Sequence, residues 1–319
     1  MDRVLEVQNL HVSYFTRRGE VRAVNGVTFQ INKGEVFGLA GESGCGKSTV
    51  AYAIMRLIKP PGRIMGGRII VDGIDVLNLK EEELRSFRWK KVAMVFQNAM
   101  NCLNPVFRIG DQIAEAIMIH ENISKREALA RAKYLLSLVG IHESRVNDYP
   151  HQLSGGMRQR VNIAMALALN PIFLIVDEPT TALDVVVARQ ILELLWEMKS
   201  KFNLSMLFIT HDLAVLSEFS NRIGIMYAGE LVELANTQRL FTNPIHPYTK
   251  GLIKSLMGFT RRGEKLWSIP GSPPDLASKI EGCKFRARCP IATSKCSYNK
   301  PELVEVEPNH FVACHEVAL

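Results

Sequence analysis

Apolar and polar positions along this chain alternate in two different rhythms. Between residues 3 and 15, Val4, Leu5, Val7, Leu10 and Val12 recur at strand spacing, and Val21 to Ile31 repeats the rhythm after Arg17-Arg18-Gly19-Glu20. The two runs read as paired strands joined by a turn. Val36-Phe37-Gly38-Leu39-Ala40 is a short apolar run that enters a glycine-rich loop, and Ser48–Leu57 then changes to helical spacing until Pro60-Pro61-Gly62 stops it. Helical periodicity returns over Glu81–Ser86 and Lys125–Leu138. Ser124 precedes the second of these with Glu127 three positions on, the signature of a capping box. Residues from about 98 to 165 therefore read as a helical insert between sheet-forming parts. Next come a buried strand at 172–176, a helix at 185–200, a strand at Ser205–Ile209 and two strand-like pieces, Arg222–Tyr227 and Gly229–Leu234. Strands alternating with helices predict an α/β fold with a largely parallel sheet.

The pattern changes after about residue 241. Asn243-Pro244-Ile245-His246-Pro247, then Pro270-Gly271-Ser272-Pro273-Pro274, then four cysteines predict a loop-rich extension that needs an added staple. The expected division is a domain over 1–245 and an extension over 246–319.

Composition narrows the class. The 319 residues are 47% apolar and 22% charged, as in ordinary globular proteins. No apolar run approaches the ~20 residues that span a bilayer, and Met1-Asp2-Arg3-Val4-Leu5-Glu6 has no signal-peptide core. A cytoplasmic setting is the expectation, with any membrane role exercised through a partner. The formal charge of +7 suits nucleic acid, an anionic membrane surface, or simple solvation. Basic residues are densest at Arg261-Arg262 and at Lys284, Arg286 and Arg288, and solvated surface is the plainer reading of both.

The chemistry begins at Gly41-Glu42-Ser43-Gly44-Cys45-Gly46-Lys47-Ser48-Thr49, a G-x-x-x-x-G-K-[ST] loop lying between a strand and a helix, the context that motif requires. Its backbone amides and the helix start converge on phosphate. Glycines at 41, 44 and 46 let the backbone come close. Lys47 adds charge near the β- and γ-phosphates, and the Ser48 hydroxyl suits Mg²⁺. Cys45 reads as a small filler rather than a nucleophile. Ile172–Val176 ends in Asp177-Glu178. Asp177 is placed to support Mg²⁺, and Glu178 to orient and deprotonate an attacking water. Leu153-Ser154-Gly155-Gly156-Met157 puts a capping serine and two glycines at a helix start, a second anion site that a P-loop fold does not need.

The order P-loop, Gln97, LSGGM, LIVDEP, ALD and Thr210-His211-Asp212 resembles the nucleotide-binding subunit of an ABC transporter over residues 1–240. That resemblance implies an ABC ATPase core with a mixed sheet, an antiparallel β subdomain and a helical subdomain. It implies an adenine-stacking role for Tyr14, with Phe15 as the rival ring. It gives Gln97 a contact with Mg²⁺, the water and the membrane subunit. It gives Ser154, Gly155 and Gly156 a contact with the γ-phosphate on an opposing subunit, Asp184 a dimer contact, and His211 a γ-phosphate contact. The working unit it implies is a dimer.

Gln97-Asn98-Ala99-Met100-Asn101-Cys102-Leu103-Asn104-Pro105 and His246-Pro247-Tyr248-Thr249-Lys250-Gly251-Leu252 extend the likeness to oligopeptide/dipeptide importers, with Asn98 and Cys102 departing from the usual form. That group implies ATP-driven import, a paralogous second ATPase chain, two transmembrane permease subunits and an extracytoplasmic solute-binding protein. It places the chain peripherally on the cytoplasmic face of the membrane and implies no nucleic acid. The same engine serves oligosaccharide or metal importers in related members. A repair or chromosome ABC ATPase would need a long coiled coil between P-loop and signature, which this interval cannot hold.

Cys283, Cys289, Cys296 and Cys314 are spaced too widely for the short C-x₂₋₄-C of structural zinc sites. Four thiolates suit a [4Fe–4S] cluster, which the importer resemblance also implies. Zinc, disulfides and free thiols remain as alternatives.

Overall fold

A computed structural model describes residues 2–97, 102–257, 269–278 and 280–317. Asn98–Asn101 of the glutamine loop and the Arg261-Arg262 pair lie outside the described residues. Along the chain the first elements are β1 (Arg3–Thr16), β2 (Gly19–Asn32), β3 (Val36–Ala40), α1 (Lys47–Ile54), β4 (Gly62–Val71), β5 (Ile74–Asp75), α2 (Glu81–Phe87) and β6 (Val92–Val95). Then follow α3 (Ile109–His120), α4 (Lys125–Leu138), α5 (Gly155–Ala166), β7 (Phe173–Asp177), α6 (Val185–Phe202), β8 (Ser205–Ile209) and α7 (Leu213–Phe219). The chain continues with β9 (Arg222–Tyr227), β10 (Glu230–Asn236), α8 (Thr237–Thr242), α9 (Pro247–Met257), α10 (Lys295–Tyr298), β11 (Val304–Glu307) and β12 (His310–Val312).

These elements fall into two compact units. One comprises residues 1–4, 32–35 and 71–207; the other comprises 5–31, 36–70 and 208–319. In the first, β6 pairs in parallel with β7, from Val92 opposite Phe173 to Val95 opposite Val176. Both strands are buried throughout, as their unbroken apolar runs require. Helices α3, α4 and α5 form the helical part. The predicted capping box holds: Glu127 N–H donates to Ser124 Oγ at 3.3 Å, and Ser124 N–H donates to the Glu127 carboxylate at 2.8 Å. Helix α4 then buries Ala128, Ala132, Leu135 and Leu136, positions that recur on one face.

In the second unit, β1 and β2 form the expected hairpin and β4 lies on the other side of β1. In its mixed sheet, β3 runs parallel to β9, with Phe37 opposite Arg222 and Ala40 opposite Ile225. β9 and β10 are antiparallel. The turn between them, Ala228-Gly229, has φ of 49° and 85°, the all-positive geometry of a tight hairpin.

Two expectations change, and one strand is added to them. Helix α1 ends at Ile54 rather than Leu57, because Arg56 turns left-handed at φ 49°. β4 was not legible in Gly62–Val71, whose three glycines argue against a strand. Gly67 is there because the backbone of β1 passes so close that a Cβ would lie 2.6 Å from the Asn9 carbonyl oxygen. The tail is also less loop-rich than its prolines suggest. It carries α9 and α10, and β12 adds antiparallel to β10 with Val312 opposite Glu233, with β11 beyond it.

Candidate nucleotide-binding site

The loop between β3 and α1 is shaped by steric necessity. Gly41 has φ 148°, and a Cβ there would sit 2.2 Å from the Met226 carbonyl oxygen. Gly46 has φ 104°, and its Cβ would sit 2.2 Å from the Ala23 carbonyl oxygen. Gly44 needs only its φ of 78°, since open space surrounds it. Gly46 caps α1 without a side chain, and the first turn of α1 carries no acid. The amides of that turn, at Lys47, Ser48 and Thr49, thus keep the positive end of the helix clear for an anion. Lys47 is 5% exposed, and its ammonium donates to the Gly41 and Glu42 carbonyls at 2.8 and 3.1 Å. Ser43 is exposed, and Ser48 and Thr49 are half-buried. Burial pushes the Cys45 thiol up, against the nearby Lys47 ammonium that pulls it down. A protonated, buried thiol fits the filler reading.

In the same unit, the two candidate stacking rings differ. Tyr14 is half-buried and lies over Gly62, where a Cβ would come 2.6 Å from its Cε1. Phe15 is exposed, with the Arg63 guanidinium 5.7 Å from its centroid. His211 is exposed in the turn between β8 and α7. Thr210 Oγ1 accepts from Asp212 N–H at 3.0 Å, and Asp212 caps α7 through the Ala214 N–H at 2.8 Å, which fixes the backbone on both sides of the histidine.

The other unit carries the acids. Asp177 ends β7 and is fully buried. Glu178 follows at φ 43°, an uncommon conformation for a non-glycine residue and one that marks functional turns. Its Oε2 accepts from Gln97 Nε2 at 2.8 Å and from Thr181 Oγ1 at 3.0 Å. The β6–β7 register explains the meeting: Val95 lies opposite Val176, so Gln97 and Glu178 leave their strands at the same carboxyl end. Ligands of open α/β sheets bind at that end.

Ser154 caps α5, its Oγ accepting from Met157 N–H at 3.3 Å. Gly156 is required by packing, since a Cβ would come 2.4 Å from Val187 Cγ1 of α6. Gly155 has only ordinary contact, 3.6 Å from Leu183 Cδ2, so the packing of this chain does not explain its glycine. Asp184 is exposed and caps α6 by accepting from Val187 N–H at 2.9 Å.

The tail departs from expectation twice. None of its four cysteines is in a disulfide, and Cys283 N–H donates to the Cys296 carbonyl at 2.8 Å. Burial pushes the Cys283 thiol up to about 11, with Cys296, Cys289 and Cys314 each adding to the rise. Burial also raises Cys289 and Cys314. The four sulfurs share one neighbourhood. Even so, among the described residues no group of three or more histidine, cysteine or carboxylate side chains is placed to hold a metal ion. The structure therefore does not support the metal site expected at Cys283, Cys289, Cys296 and Cys314; backbone bonds and side-chain contacts, such as Thr293 Oγ1 at 3.7 Å from Cys296 Sγ, help to order the segment.

The basic cluster is not a solvated patch either. Lys284 donates to the Ala228 carbonyl at 2.6 Å and pairs with Glu230 at 3.2 Å. The Arg288 guanidinium is buried against Glu42 of the P-loop. Glu42, Tyr248 and Arg288 are the residues that motif reading missed. Tyr248 stood in a motif but with no role, and nothing in the spacing ties residue 288 to residue 42.

Comparison with other proteins agrees with this geometry. The ABC transporter family profile matches residues 24–181, and the profile of the oligopeptide/dipeptide transporter C-terminal region matches 232–296. The chain is 47% identical to the oligopeptide transport ATP-binding protein OppD of Bacillus subtilis, over 97% of this chain and 88% of that protein. It is 45% identical to the dipeptide transport ATP-binding protein DppD of the same organism, over 98% and 95%. It is 44% identical to OppD of Escherichia coli, over 98% and 93%. Among solved structures, a dimeric ATP-binding cassette in a post-hydrolysis state with ADP and Pi aligns with a TM-score of 0.66 and 31% identity, over 73% of this chain and 98% of that one. The cbiO1 subunit of the Clostridium perfringens cbiONQ complex aligns with a TM-score of 0.64 and 27% identity, over 76% and 92%. With a P-loop, a signature helix and an acid-ended strand in place, and this identity maintained from end to end, the chain belongs to the ABC transporter ATP-binding proteins, in their oligopeptide/dipeptide group.

Proposed function

We propose that the chain is the ATP-hydrolysing subunit of a peptide importer, acting peripherally on the cytoplasmic face of the membrane. The observation that carries the reading is the Glu178 carboxylate, held by Gln97 and Thr181 at the end of two parallel strands. A carboxylate fixed there can orient the attacking water and accept its proton as oxygen bonds to the γ-phosphorus and the bond to the ADP oxygen breaks. The P-loop amides and Lys47 hold the phosphates, Tyr14 stacks on adenine, and His211 contacts the γ-phosphate. Ser48, Gln97 and Asp177 are the residues that would hold Mg²⁺, whose charge would offset that of the phosphates. Ser154, Gly155 and Gly156 serve the nucleotide of an opposing subunit, and Asp184 meets that subunit. The glycine at 155, which packing within this chain does not require, supports this role.

The same reading supplies partners: a paralogous second ATPase, two transmembrane permease subunits and, through them, an extracytoplasmic solute-binding protein. Among the described residues no helix is long and apolar enough to cross a membrane, so the permeases would provide the passage. Residues 1–245 form the nucleotide-binding domain and 246–319 the extension.

For the extension we propose a [4Fe–4S] cluster on Cys283, Cys289, Cys296 and Cys314. The spacing of the four cysteines, wider than the short pairs of structural zinc sites, supports a larger group over a single zinc. When bound, the cluster would staple a segment with a small core. Iron and acid-labile sulfide in anaerobically purified protein test it; a colourless, iron-free protein overturns it.

Glu178→Gln tests the main reading. The amide keeps the contacts but cannot take the proton, so ATP binding should persist while phosphate release at saturating ATP falls by roughly 10²-fold or more. Near-normal turnover removes Glu178 from the mechanism.

A further inference from the structure

The P-loop is held from behind by the C-terminal extension. Arg288 lies in a turn over Arg286–Arg288, and its side chain is 6% exposed. Its two terminal nitrogens donate to both oxygens of the Glu42 carboxylate, at 2.8 and 2.9 Å. The other donors of the guanidinium are also committed, Nε to the Pro270 carbonyl at 2.8 Å and a terminal nitrogen to the Tyr227 hydroxyl at 3.3 Å. This fork-on-fork pair joins residues 246 positions apart.

Glu42 is the second residue of the phosphate loop, and its backbone is held as firmly as its side chain. Its N–H donates to the hydroxyl of Tyr248 in α9 at 2.9 Å. Tyr248 is fully buried, its ring centroid 4.7 Å from that of Tyr227. On the other side, the carbonyls of Gly41 and Glu42 both accept from Lys47. The 41–42 peptide is thereby fixed at its carbonyl, its amide and its side chain. Gly41 leaves no room for a side chain, since a Cβ there would lie 2.2 Å from the Met226 carbonyl oxygen. Pro273 and Pro274 line a cavity of about 180 Å³ together with Glu42, Ser43 and Cys45, a second approach of the extension to the loop.

We infer that Arg288 is a positioning residue for nucleotide binding: with Tyr248 it holds the first turn of the P-loop in its phosphate-accepting shape, so that the C-terminal extension sets ATP affinity. The inference rests on the reading of this loop as the ATP site. Without Arg288 the Glu42 carboxylate, partly buried, loses its partner and turns towards water. The 41–42 peptide goes with it, and ordering the loop around phosphate then falls to the nucleotide, which binds more weakly. The clamp acts on the shape of the loop, whereas the proposed reading gives the chemical step to Gln97 and Glu178, so the rate at saturation should be kept.

Titration of the purified full-length chain with a fluorescent mant-ATP probe, alongside steady-state hydrolysis, tests this. Arg288→Met should raise the mant-ATP Kd and the KM for ATP about tenfold and leave kcat within about twofold. Arg288→Lys keeps the charge but cannot bridge both carboxylate oxygens, and should weaken binding about threefold. Glu42→Gln combined with Arg288→Met should bind no more weakly than Glu42→Gln alone, since the two side chains act as one unit. Arg239→Met removes a different ion pair of the extension, with Glu307, and should leave Kd unchanged. Wild-type affinity in both Arg288 variants, an equal loss in Arg239→Met, or additive losses for Glu42 and Arg288 would each overturn the inference. Failure of the wild-type chain itself to bind mant-ATP would instead overturn the nucleotide reading.

Discussion

The P-loop and the C-terminal extension place charged groups in buried settings by opposite means. The P-loop does so with backbone: three glycines in left-handed conformation, a helix start without a side-chain cap, and one lysine held by carbonyls two turns of chain away at most. Every part lies within nine consecutive residues. The extension does so with side chains brought from far along the sequence. Arg288 meets Glu42, Lys284 meets Glu230, and His310 meets the fully buried Glu233 at 2.7 Å. The difference teaches where each region is vulnerable. A backbone device fails when a single Cβ is added; a side-chain device fails when a partner is removed or protonated.

The largest effect should come from the backbone device. Gly46→Ala adds a methyl 2.2 Å from the Ala23 carbonyl oxygen at a φ of 104°. No flexible side chain can yield there, so we expect a loss of about 3 kcal/mol of stability and of detectable ATP binding. Urea denaturation and nucleotide titration would measure both. An alanine variant with wild-type stability would erase the contrast between the regions.

Acid should act on the extension first. His246 is 2% exposed, and burial lowers its pKa to about 4, with Glu233 opposing and Lys250 assisting. Its Nδ1 accepts from Tyr248 N–H at 3.0 Å, which requires the neutral ring. A depressed histidine binds fewer protons folded than unfolded between pH 6.5 and 4. Its contribution is therefore complete above about 6.5 and is lost as pH falls towards 4, about 3 kcal/mol over that window. Urea midpoints from pH 7 to 4 should fall with that slope in the wild type and more shallowly in His246→Gln. Parallel slopes would remove the histidine from the account.

The smallest effect probes the link between the regions. Tyr248→Phe keeps the buried ring and leaves the Glu42 N–H without its acceptor, which should cost about 1–3 kcal/mol. Thermal unfolding checks the value, and a Tm equal to the wild type would show that the hydroxyl does not hold the loop.

Much of the ATPase part was legible in the sequence because its signals are local. The capping box at Ser124 and Glu127 and the continuous apolar runs of β3, β7 and β8 each sit inside one short window. The glycines of the P-loop were legible for the same reason. What escaped was β4, a strand only because β1 lies beside it, and the α9, β11 and β12 elements, hidden in a segment punctuated by prolines. The meeting of Gln97 with Glu178 was half legible: both residues were singled out, but only the β6–β7 register brings them to one hydrogen bond.

By itself, the sequence determined a phosphate-binding loop, an acid-ended strand and a signature helix, because each depends on backbone geometry that a few consecutive residues dictate. Only the tertiary structure decided that Lys284 and Arg288 of the tail are internal, that the P-loop has a clamp behind it, and that Tyr248 and Arg288 are its jaws. A buried charge needs a partner of opposite sign, and which partner the chain brings to it is a property of the fold, not of spacing.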